Sequence, residues 1–435
     1  MANSFSKEER VAFENLLEGF HDALVLSRNV SIYNTDQTMM ARTNDIIWRP
    51  QPYIAQSISS TPGVAIPGYQ DMTQLAVPAT IGFSRTVPWT MTALDLRDAL
   101  QEGRLGEAAK QKLASDINLA IMNAAANLGS LVVDVGAPAG TYDDVALCDS
   151  IMNEQGVANY DRYLALSSRD YNGLAGNIAT GATGTAARSF NGNKSNSAFE
   201  RSFVGMVAGF ETFKFDYANR LVGAAPAAPV TIDTQAAANN YYVPQATSTA
   251  ISGETQNVDN RFQTITVNAT AGIVAGDAFT IDGVEAVHHI TKQGTGQPKT
   301  FRVVSVPAGG TDLVITPPII SAQGGSDAEL QYQNVIVTPA AAAAITFLNV
   351  NTAAVNVFWQ RDALELLPGR YAVPSDAGTA VMRATTDNNI EVVMQKFYDI
   401  DSMTIKYRLD TLFGVVNKQP EMSGILIFGQ TAPGP

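Results

Sequence analysis

Apolar and acidic residues alternate with a helical period near the start of the chain. Ser6 and Glu9 have the spacing of a capping box, which predicts that an amphipathic helix begins there, within residues 1–30. The apolar positions of this helix are Phe13, Leu16, Leu17, Phe20 and Leu24. Such a helix either packs on its own domain or is an arm that docks on a partner.

The next stretch, residues 47–88, is interrupted by prolines. They stand at Pro50, Pro52, Pro62, Pro67, Pro78 and Pro88. Prolines at this density prevent helix and the interior of a sheet. The pattern therefore predicts an extended hairpin or loop, and one this long needs another surface to lie against.

Helical periodicity is strongest at residues 106–131, where an apolar stripe has alanine-rich flanks. A turn follows, and Asp143 is placed to cap a shorter helix that runs to about residue 153. Residues 160–220 have a mixed pattern, in which residues 173–197 read as a flexible polar segment. The first half of the chain thus predicts two further helices and a loop-rich region.

Beyond residue 221 the pattern changes to short strands. The candidate strands are residues 263–267, 278–282, 284–290, 300–306, 313–316 and 334–337. Strands at this spacing predict a small closed barrel or sandwich. Helical character is expected again after Pro339 and through residues 354–367. We therefore predict an α+β host with a β module inserted at about 221–343.

Composition narrows the class of protein. Hydrophobic residues make up 46% of the 435-residue chain and charged residues 16%, and the formal net charge is −13. Such an acidic chain would not hold nucleic acid through its overall field. The single cysteine, Cys148, fits a reducing compartment. No signal-like or membrane-spanning run is evident, so we expect a cytoplasmic protein without a membrane partner.

Candidate catalytic and cofactor motifs are weak. The stretch GNIATGAT (residues 176–183) has phosphate-loop spacing, but Ala182 stands where the lysine is required. Asp143, Asp144 and Asp149 match no calcium loop, and a helix start favours such acidic residues without any metal. The sequence therefore predicts no cofactor, no metal site and no catalytic residue.

The adjacent pair His288-His289 is the most enzyme-like feature. Because the surrounding residues read as a strand, neighbouring side chains should point to opposite faces. His288 would then face Val284 and Ile290 inside the barrel, and His289 would point outward near Glu285. The two rings would be unable to bind one metal ion together.

Several segments of the sequence resemble one family. NVDNRFQTITVNATAGIVAGDAFTIDGV (residues 257–284) is similar to the insertion domain of the P22-like podovirus coat proteins. LNVNTAAVNVFWQRDALEL (348–366) resembles the segment that follows that insertion. Five upstream segments match the same family in the same order: DIIWRP (45–50), LDLRDAL (94–100), NAAANLGSLVV (123–133), SSRDYNGLA (167–175) and VAGFE (207–211). The resemblance extends over most of the chain and is less clear over the last fifty or so residues.

This resemblance implies an α+β, HK97-like phage capsid fold with an inserted small β-barrel. The implied segments are an N-terminal arm (1–46), an extended loop (47–88), a peripheral domain with a spine helix (89–149), a first axial part (150–220), the insertion β-barrel (221–343), a second axial part (344–385) and a return to the peripheral domain (386–435). The extended loop would lie across a neighbouring subunit. The barrel would support folding and contact neighbouring capsomers.

The resemblance also implies candidate contact residues. Family arms present an acidic residue to the basic C-terminus of a scaffolding protein, and Glu14 and Glu18 are the matching positions. A charged loop pairs across capsomers in the family, but here AISGETQ (250–256) carries only Glu254. Tyr241 and Tyr242 are therefore added as candidates for that contact.

The function implied is that of a non-enzymatic major capsid protein of a tailed double-stranded DNA phage. Its partners would be other copies in pentamers and hexamers, a scaffolding protein, a portal protein and DNA contacted without specificity. Assembly would take place in the bacterial host cytoplasm. Two alternatives from other classes are a hydrolase or carbohydrate-active enzyme with an appended β module, and an adhesin or tail component.

Overall fold

The structure is a computed structural model of the chain. It describes residues 9–11, 13–14, 16, 25–33, 46–52, 54–55, 57, 61–64, 68–92, 99–180, 201–215, 219–233, 242–371, 379–386 and 389–430, with the backbone alone at 99–107 and 177–180. The chain divides into two compact units. The first contains Met1–Ile47, Pro78–Met122 and Leu364–Val416, and the second contains Trp48–Val77, Asn123–Ala363 and Asn417–Pro435.

The described helices are few and the strands are many. The α-helices are α1 (Ala99–Leu128), α2 (Tyr142–Glu154), α3 (Ser168–Thr180) and α4 (Asp327–Tyr332), and short 3-10 turns occur at Leu26–Asn29, Arg361–Ala363 and Pro420–Met422. The first eleven strands are β1 (Ser31–Ile32), β2 (Ile46–Pro50), β3 (Ala76–Thr80), β4 (Phe83–Thr92), β5 (Leu131–Val135), β6 (Arg162–Ser167), β7 (Met206–Val207), β8 (Phe210–Phe215), β9 (Arg220–Leu221), β10 (Thr247–Thr249) and β11 (Thr255–Asn257). The others are β12 (Gln263–Thr266), β13 (Ala278–Val287), β14 (Gly294–Ser305), β15 (Asp312–Thr316), β16 (Ile345–Phe347), β17 (Ala353–Ala354), β18 (Asn356–Gln360), β19 (Leu364–Pro368), β20 (Ala380–Thr385), β21 (Glu391–Asp399), β22 (Thr404–Asn417) and β23 (Ser423–Phe428). The α+β class predicted from the sequence is confirmed.

The first unit is organised by the long strand β22. Its sheet has the order β1-β19-β22-β21-β20, and β4 pairs with β22 as well. Stacked rings join β4 to β22, since Trp89 lies 5.5 Å from Tyr407 and Phe83 lies 5.5 Å from Phe413 between ring centroids. Strand β4 pairs with β22 alone among the described strands, and Pro88 stands within it. Proline has no N–H to donate, so it is tolerated at such an edge.

The second unit contains a six-stranded mixed sheet with the order β5-β23-β18-β6-β8-β7. Leu131, Leu164, Phe210, Phe358 and Leu426 belong to the apolar cluster of this sheet region, in which helix residues such as Cys148 and Leu174 also take part. Strand β18 is buried at all five positions. A strand covered on both faces has buried residues on both, so Val357, Phe358 and Trp359 follow one another without the usual alternation.

The same unit contains a closed β-barrel. Five antiparallel strands follow the order β12-β15-β14-β13-β16. Residues 230–233 bridge the two ends, because Asp233 N donates to Thr266 O and Ile345 N donates to Val230 O. Phe279 and Phe301, which stack at 5.7 Å, are buried in its core. These five strands and residues 230–233 form a closed sheet, and the assignment of residues 221–343 as an inserted domain stays a prediction.

Several predicted boundaries change. The long helix is α1, which begins earlier and ends at Leu128, and the second helix starts after Thr141, whose capping box is completed by Asp144. The polar segment predicted at 173–197 is helical up to Thr180, and residues 181–200 lie outside the described residues. The helix predicted over 354–367 is wrong: β18, a 3-10 turn and β19 occupy it. The strand predicted at 334–337 is only an isolated bridge between Ala286 and Val335.

Gly424 offers a test of the packing between β5, β18 and β23. A Cβ there would lie 2.3 Å from Leu131 O and 2.4 Å from Phe358 Cζ. We expect Gly424→Ala to lower the free energy of unfolding by about 3 kcal/mol or more, because backbone would have to move. Gly176 in α3 has open space around it, so the control Gly176→Ala should change stability by no more than about 1 kcal/mol. Urea unfolding of the monomeric chain measures both, and equal stabilities would contradict this account.

Candidate assembly surfaces

A buried ion pair joins the barrel to the sheet region of the second unit. Lys299 of β14 is 1% exposed, and its Nζ donates to Glu421 Oε1 at 2.6 Å and to Gln155 Oε1 at 2.8 Å. Glu421 lies in the 3-10 turn before β23, and Gln155 follows helix α2. Asn334 Nδ2 donates to the same Glu421 oxygen at 3.1 Å. The ammonium and the carboxylate therefore have partners in place of water, as buried charges require.

Two arginines add to this junction. Arg302 Nη1 donates to Gly129 O at 3.4 Å, and Thr300 beside it donates to Ser130 O at 2.7 Å. Burial lowers the pKa of Arg302 to about 10, which still leaves it charged near neutral pH. Arg261, held by Asp259, donates from Nη1 to Asn417 O at 2.9 Å. We call the set Lys299, Arg302, Arg261, Thr300 and Glu421 the seam.

A further titratable residue, His289, lies beside the seam. It is 9% exposed, and its Nε2 lies 3.3 Å from Glu421 Oε2. Burial lowers the pKa of His289 to about 4, in spite of the nearby carboxylate, so the ring is neutral near neutral pH. Burial alone would raise the pKa of Glu421, but His289, Lys299 and two hydrogen bonds outweigh it and hold that pKa at about 2.

The histidine pair differs from the sequence prediction. Strand β13 ends at Val287, so both rings lie in the turn that follows. Ile290 is 67% exposed, and His289, predicted to point outward, is the buried one. His288 Nδ1 accepts from the N–H of Thr291 at 3.2 Å, and its ring lies against Gly156, where a Cβ would be 2.8 Å from Cε1. Strand alternation failed as a guide because the strand ends at Val287, three residues before the predicted end at residue 290 and before both histidines.

The seam is suited to holding the barrel in place and has little room for a ligand. A cleft of about 40 Å³ adjoins it, lined by His289, Glu421, Asn334, Tyr332 and other residues. A space of this size holds only a few water molecules. Within the described residues, no group of three or more His, Cys, Asp or Glu is arranged to hold a metal ion. Sequence reasoning missed the seam, since a lone Lys, Glu or Arg carries no local signal of burial.

Two of the three acidic residues singled out after residue 140, Asp144 and Asp149, have structural partners. Asp144 accepts from Thr141 N at 2.9 Å at the start of α2. Asp149 pairs with the buried Arg162, which also donates to Asn153 and to Val157 O. These carboxylates therefore stabilise α2 and its connection to β6.

The loop predicted to contact neighbouring capsomers is an exposed hairpin of the second unit. Strands β10 and β11 pair from Thr247 with Asn257 to Thr249 with Thr255. Residues 251–257 are all exposed, Glu254 among them. We call residues 247–257 the tip hairpin.

The two tyrosine candidates are placed differently. Tyr242 is half-buried against the cluster of Leu75, Ile320 and Tyr332, and its hydroxyl donates to Asn260 Oδ1 at 3.2 Å. Burial raises its pKa to about 12. Tyr241 lies outside the described residues. Contacts of Tyr242 and Glu254 with other subunits stay predictions.

The N-terminal helix packs on its own unit. Glu9 pairs with Lys396 of β21, and Tyr407 donates to Glu9 Oε1 at 3.1 Å. Phe13 and Leu16, one and two turns further on, are buried. Glu14 is exposed, and Glu18 lies outside the described residues. The helix thus turns Glu14 away from the face that holds it.

The proline-rich stretch has its own intrachain contacts. Strands β2 and β3 pair, and residues 71–73 lie along helix α4. Asp71 N donates to Asp327 Oδ2 at 3.0 Å, and Thr73 O accepts from Tyr332 at 2.8 Å. Tyr69, just before this contact, is 94% exposed. Its predicted placement across a neighbouring subunit stays a prediction.

Several solved structures of phage proteins are similar to this chain. A structure from Mycobacterium phage Che8 is similar over 92% of this chain and 90% of that chain, with 9% identity and a TM-score of 0.42. The asymmetric unit of the bacteriophage PhiM1 mature capsid covers 93% and 87%, with 11% identity and a TM-score of 0.41. The CUS-3 coat protein I-domain is 41% identical over 28% of this chain and 96% of that chain, with a TM-score of 0.22.

The decisive match is to the family described as P22 coat protein, gene protein 5, whose model matches residues 1–429. The chain belongs to the P22 coat protein family. The resemblance seen in the sequence is confirmed, together with the capsid fold class that it implied. This coat protein is a major capsid protein of a tailed bacteriophage, which assembles with other copies into the capsid of the virion. Its role is structural. No described helix is long and apolar enough to cross a membrane.

The seam makes a prediction for the folding of this coat protein. We expect Glu421→Gln to lower the free energy of unfolding by about 3–5 kcal/mol, because Lys299 would be left buried without its counter-charge. Lys112, 64% exposed, pairs with Asp116 on the surface of α1. The control Lys112→Met should cost less than about 1 kcal/mol. Urea unfolding of monomers measures the free energy of unfolding of both variants. A loss for Glu421→Gln as small as that of the Lys112→Met control would show that the seam ion pair is dispensable.

His289 predicts how stability changes with pH. Its pKa is about 6.5 in an unfolded chain and about 4 in the folded one. The unfolded state therefore binds more protons between these values, and the free energy of unfolding should fall by about 3 kcal/mol as pH drops from 6.5 to 4. His289→Gln should remove most of this decline. Urea unfolding across that range gives the slope, and an unchanged slope in the variant would exclude His289 as its source.

Proposed function

We propose that this coat protein assembles with a scaffolding protein into a precursor shell, which later matures around DNA. The observation that carries the proposal is the presentation of Glu14. Glu9 of the arm helix pairs with Lys396 of the first unit, and Phe13 and Leu16 of the same helix are buried. The exposed Glu14 is left to meet a basic partner. Glu18, outside the described residues, is kept as the second candidate because the family resemblance matched it.

The scaffold contact is proposed to be electrostatic. The chain has a net charge of −13, so a basic segment is attracted to its surface and is steered before it docks. Packaged DNA would be repelled by the same charge and contacted without specificity. The shell would enclose DNA without gripping it.

The subunits are proposed to form pentamers and hexamers through slightly different contacts of one fold. The tip hairpin, with Glu254, and the residues around Tyr241 and Tyr242 are the candidates for contacts between capsomers, and the extended loop is the candidate for contacts across a neighbouring subunit. Domain rotation, in which packed elements change between two arrangements, would convert the precursor into the mature shell.

The remaining partners and segments belong to the same proposal. A portal protein would occupy one vertex, and assembly would take place in the bacterial cytoplasm. The arm, extended-loop, peripheral, axial and insertion segments keep the boundaries given by the sequence. A hydrolase would need a concave site with paired carboxylates of shifted pKa, and the comparisons give that alternative no support.

Glu14 provides the test. In coexpression with the scaffolding protein, Glu14→Ala should reduce the scaffold bound per shell several-fold, because one charge-assisted contact is lost. The monomer should keep its unfolding midpoint, since Glu14 is exposed. Glu211→Ala, another exposed acidic position, on β8, is the matched control for net charge. Electron microscopy and gel densitometry of purified shells measure the outcome, and normal scaffold content with Glu14→Ala would remove Glu14 from the contact.

A further inference from the structure

The tip hairpin carries the most exposed large apolar side chain described, Ile251. Its relative exposure is 111%, more than in an extended reference peptide. Neighbouring positions from Ser252 to Asn257 are exposed as well, and all of them except Glu254 are uncharged. Among the described residues of its own chain, no apolar neighbour covers this isoleucine at the end of a polar projection.

The turn itself does not require this isoleucine. Ala250 N donates to Glu254 O at 2.8 Å, and Gly253 N donates to Ala250 O at 2.9 Å. Gly253 has a φ of +87°, which demands glycine. Ile251 stands at the second position of a tight turn, where polar residues and proline are favoured. Local geometry explains Gly253 and leaves Ile251 unexplained.

An ion pair is poorly suited to joining the tip hairpin to another copy of the chain. Glu254 is the single charge of residues 247–257, and another copy of the chain presents a surface with the same net charge of −13. An apolar contact meets no such repulsion. Tyr242, the nearest aromatic candidate, is already held by Asn260 and packed on Leu75 and Tyr332. Of the described residues of the hairpin and its base, Ile251 therefore offers the largest uncommitted apolar surface.

We propose that Ile251 is the anchor of the contact between subunits, and that it inserts into an apolar recess of a second copy of this chain. A shell of copies supplies such a surface next to every projecting hairpin, and an apolar anchor surrounded by polar residues is typical of an interface centre. The inference rests on the proposed function only in taking the tip hairpin as a subunit contact. The buried contact is hydrophobic, so salt does not weaken it.

Thiol labelling tests whether the tip becomes covered. Cys148, the single native cysteine, is fully buried, and burial raises its pKa, so it reacts poorly. Ile251→Cys should react with a maleimide in the monomer and at least about tenfold more slowly in shells, and the same shells should recover fast labelling once dissociated. Equal rates in monomer and shell overturn the proposal. Protection that disappears when the scaffold leaves would assign the recess to the scaffold and also overturn it.

A second series distinguishes an apolar anchor from an ionic one. Ile251→Ser should raise the subunit concentration needed for assembly on the order of tenfold, Ile251→Leu should restore it, and Glu254→Gln should leave it within about twofold. In finished shells, the protection of Ile251→Cys from the maleimide should not fall when NaCl is raised to about 1 M. Loss of that protection in salt, or weaker assembly of Glu254→Gln with Ile251→Ser unaffected, overturns the proposal. If the unaltered chain forms no shells with its scaffold, the proposed function fails instead.

Discussion

A lysine ammonium removed from water must have a carboxylate beside it, and Lys299 of the barrel obtains one from Glu421. Three parts of the second unit that are distant in sequence meet at this pair. Gln155 at the end of α2 and Asn334 near the end of the barrel complete the hydrogen bonds. Leaving either charge alone would cost several kcal/mol. The barrel is therefore held in one position on the neighbouring sheet, because the ion pair and its hydrogen bonds need both the right partner atoms and the right geometry.

A fixed barrel determines where its projections lie. The base of the tip hairpin lies near Asn260 and Arg261. Asn260 donates to Gln245 O, and Arg261 donates to Asn417 O. These contacts connect the base of the hairpin to the same junction. An assembling subunit thus presents the hairpin in a defined direction without any contact at its end. Preorganisation of this kind lowers the entropy lost on association.

The sequence predicted elements well where one face of an element meets water. Helix α1 and the barrel strands have that property, and their periods were visible. Residues 354–367 do not: β18 and β19 are buried at every position, so their apolar residues follow no two-residue period and resembled a helix. The histidine pair failed for another reason, since the strand ended at Val287 and the turn reversed which ring is buried.

Among the functional residues, too, those set by local spacing could be assigned from the sequence and those set by long-range pairing could not. Glu14 could be assigned to an outward face because helical spacing is local. The partners of Lys299 could not be assigned, since Gln155 and Glu421 stand 144 and 122 residues away along the chain. Pairings at such separations leave no trace in a single sequence, and the family resemblance did not supply them.

Pro88 in the edge strand β4 has a consequence for a molecule that is crowded against many identical copies. An open strand edge is a template on which another strand can add, and repeated addition leads to fibres and amorphous aggregates. Pro88 lies opposite Arg408 in the middle of β4 and has no N–H, so β4 has one backbone donor fewer than another strand of its length. Where backbone pairing is weakened in this way, side-chain surfaces carry more of the choice of which copies join.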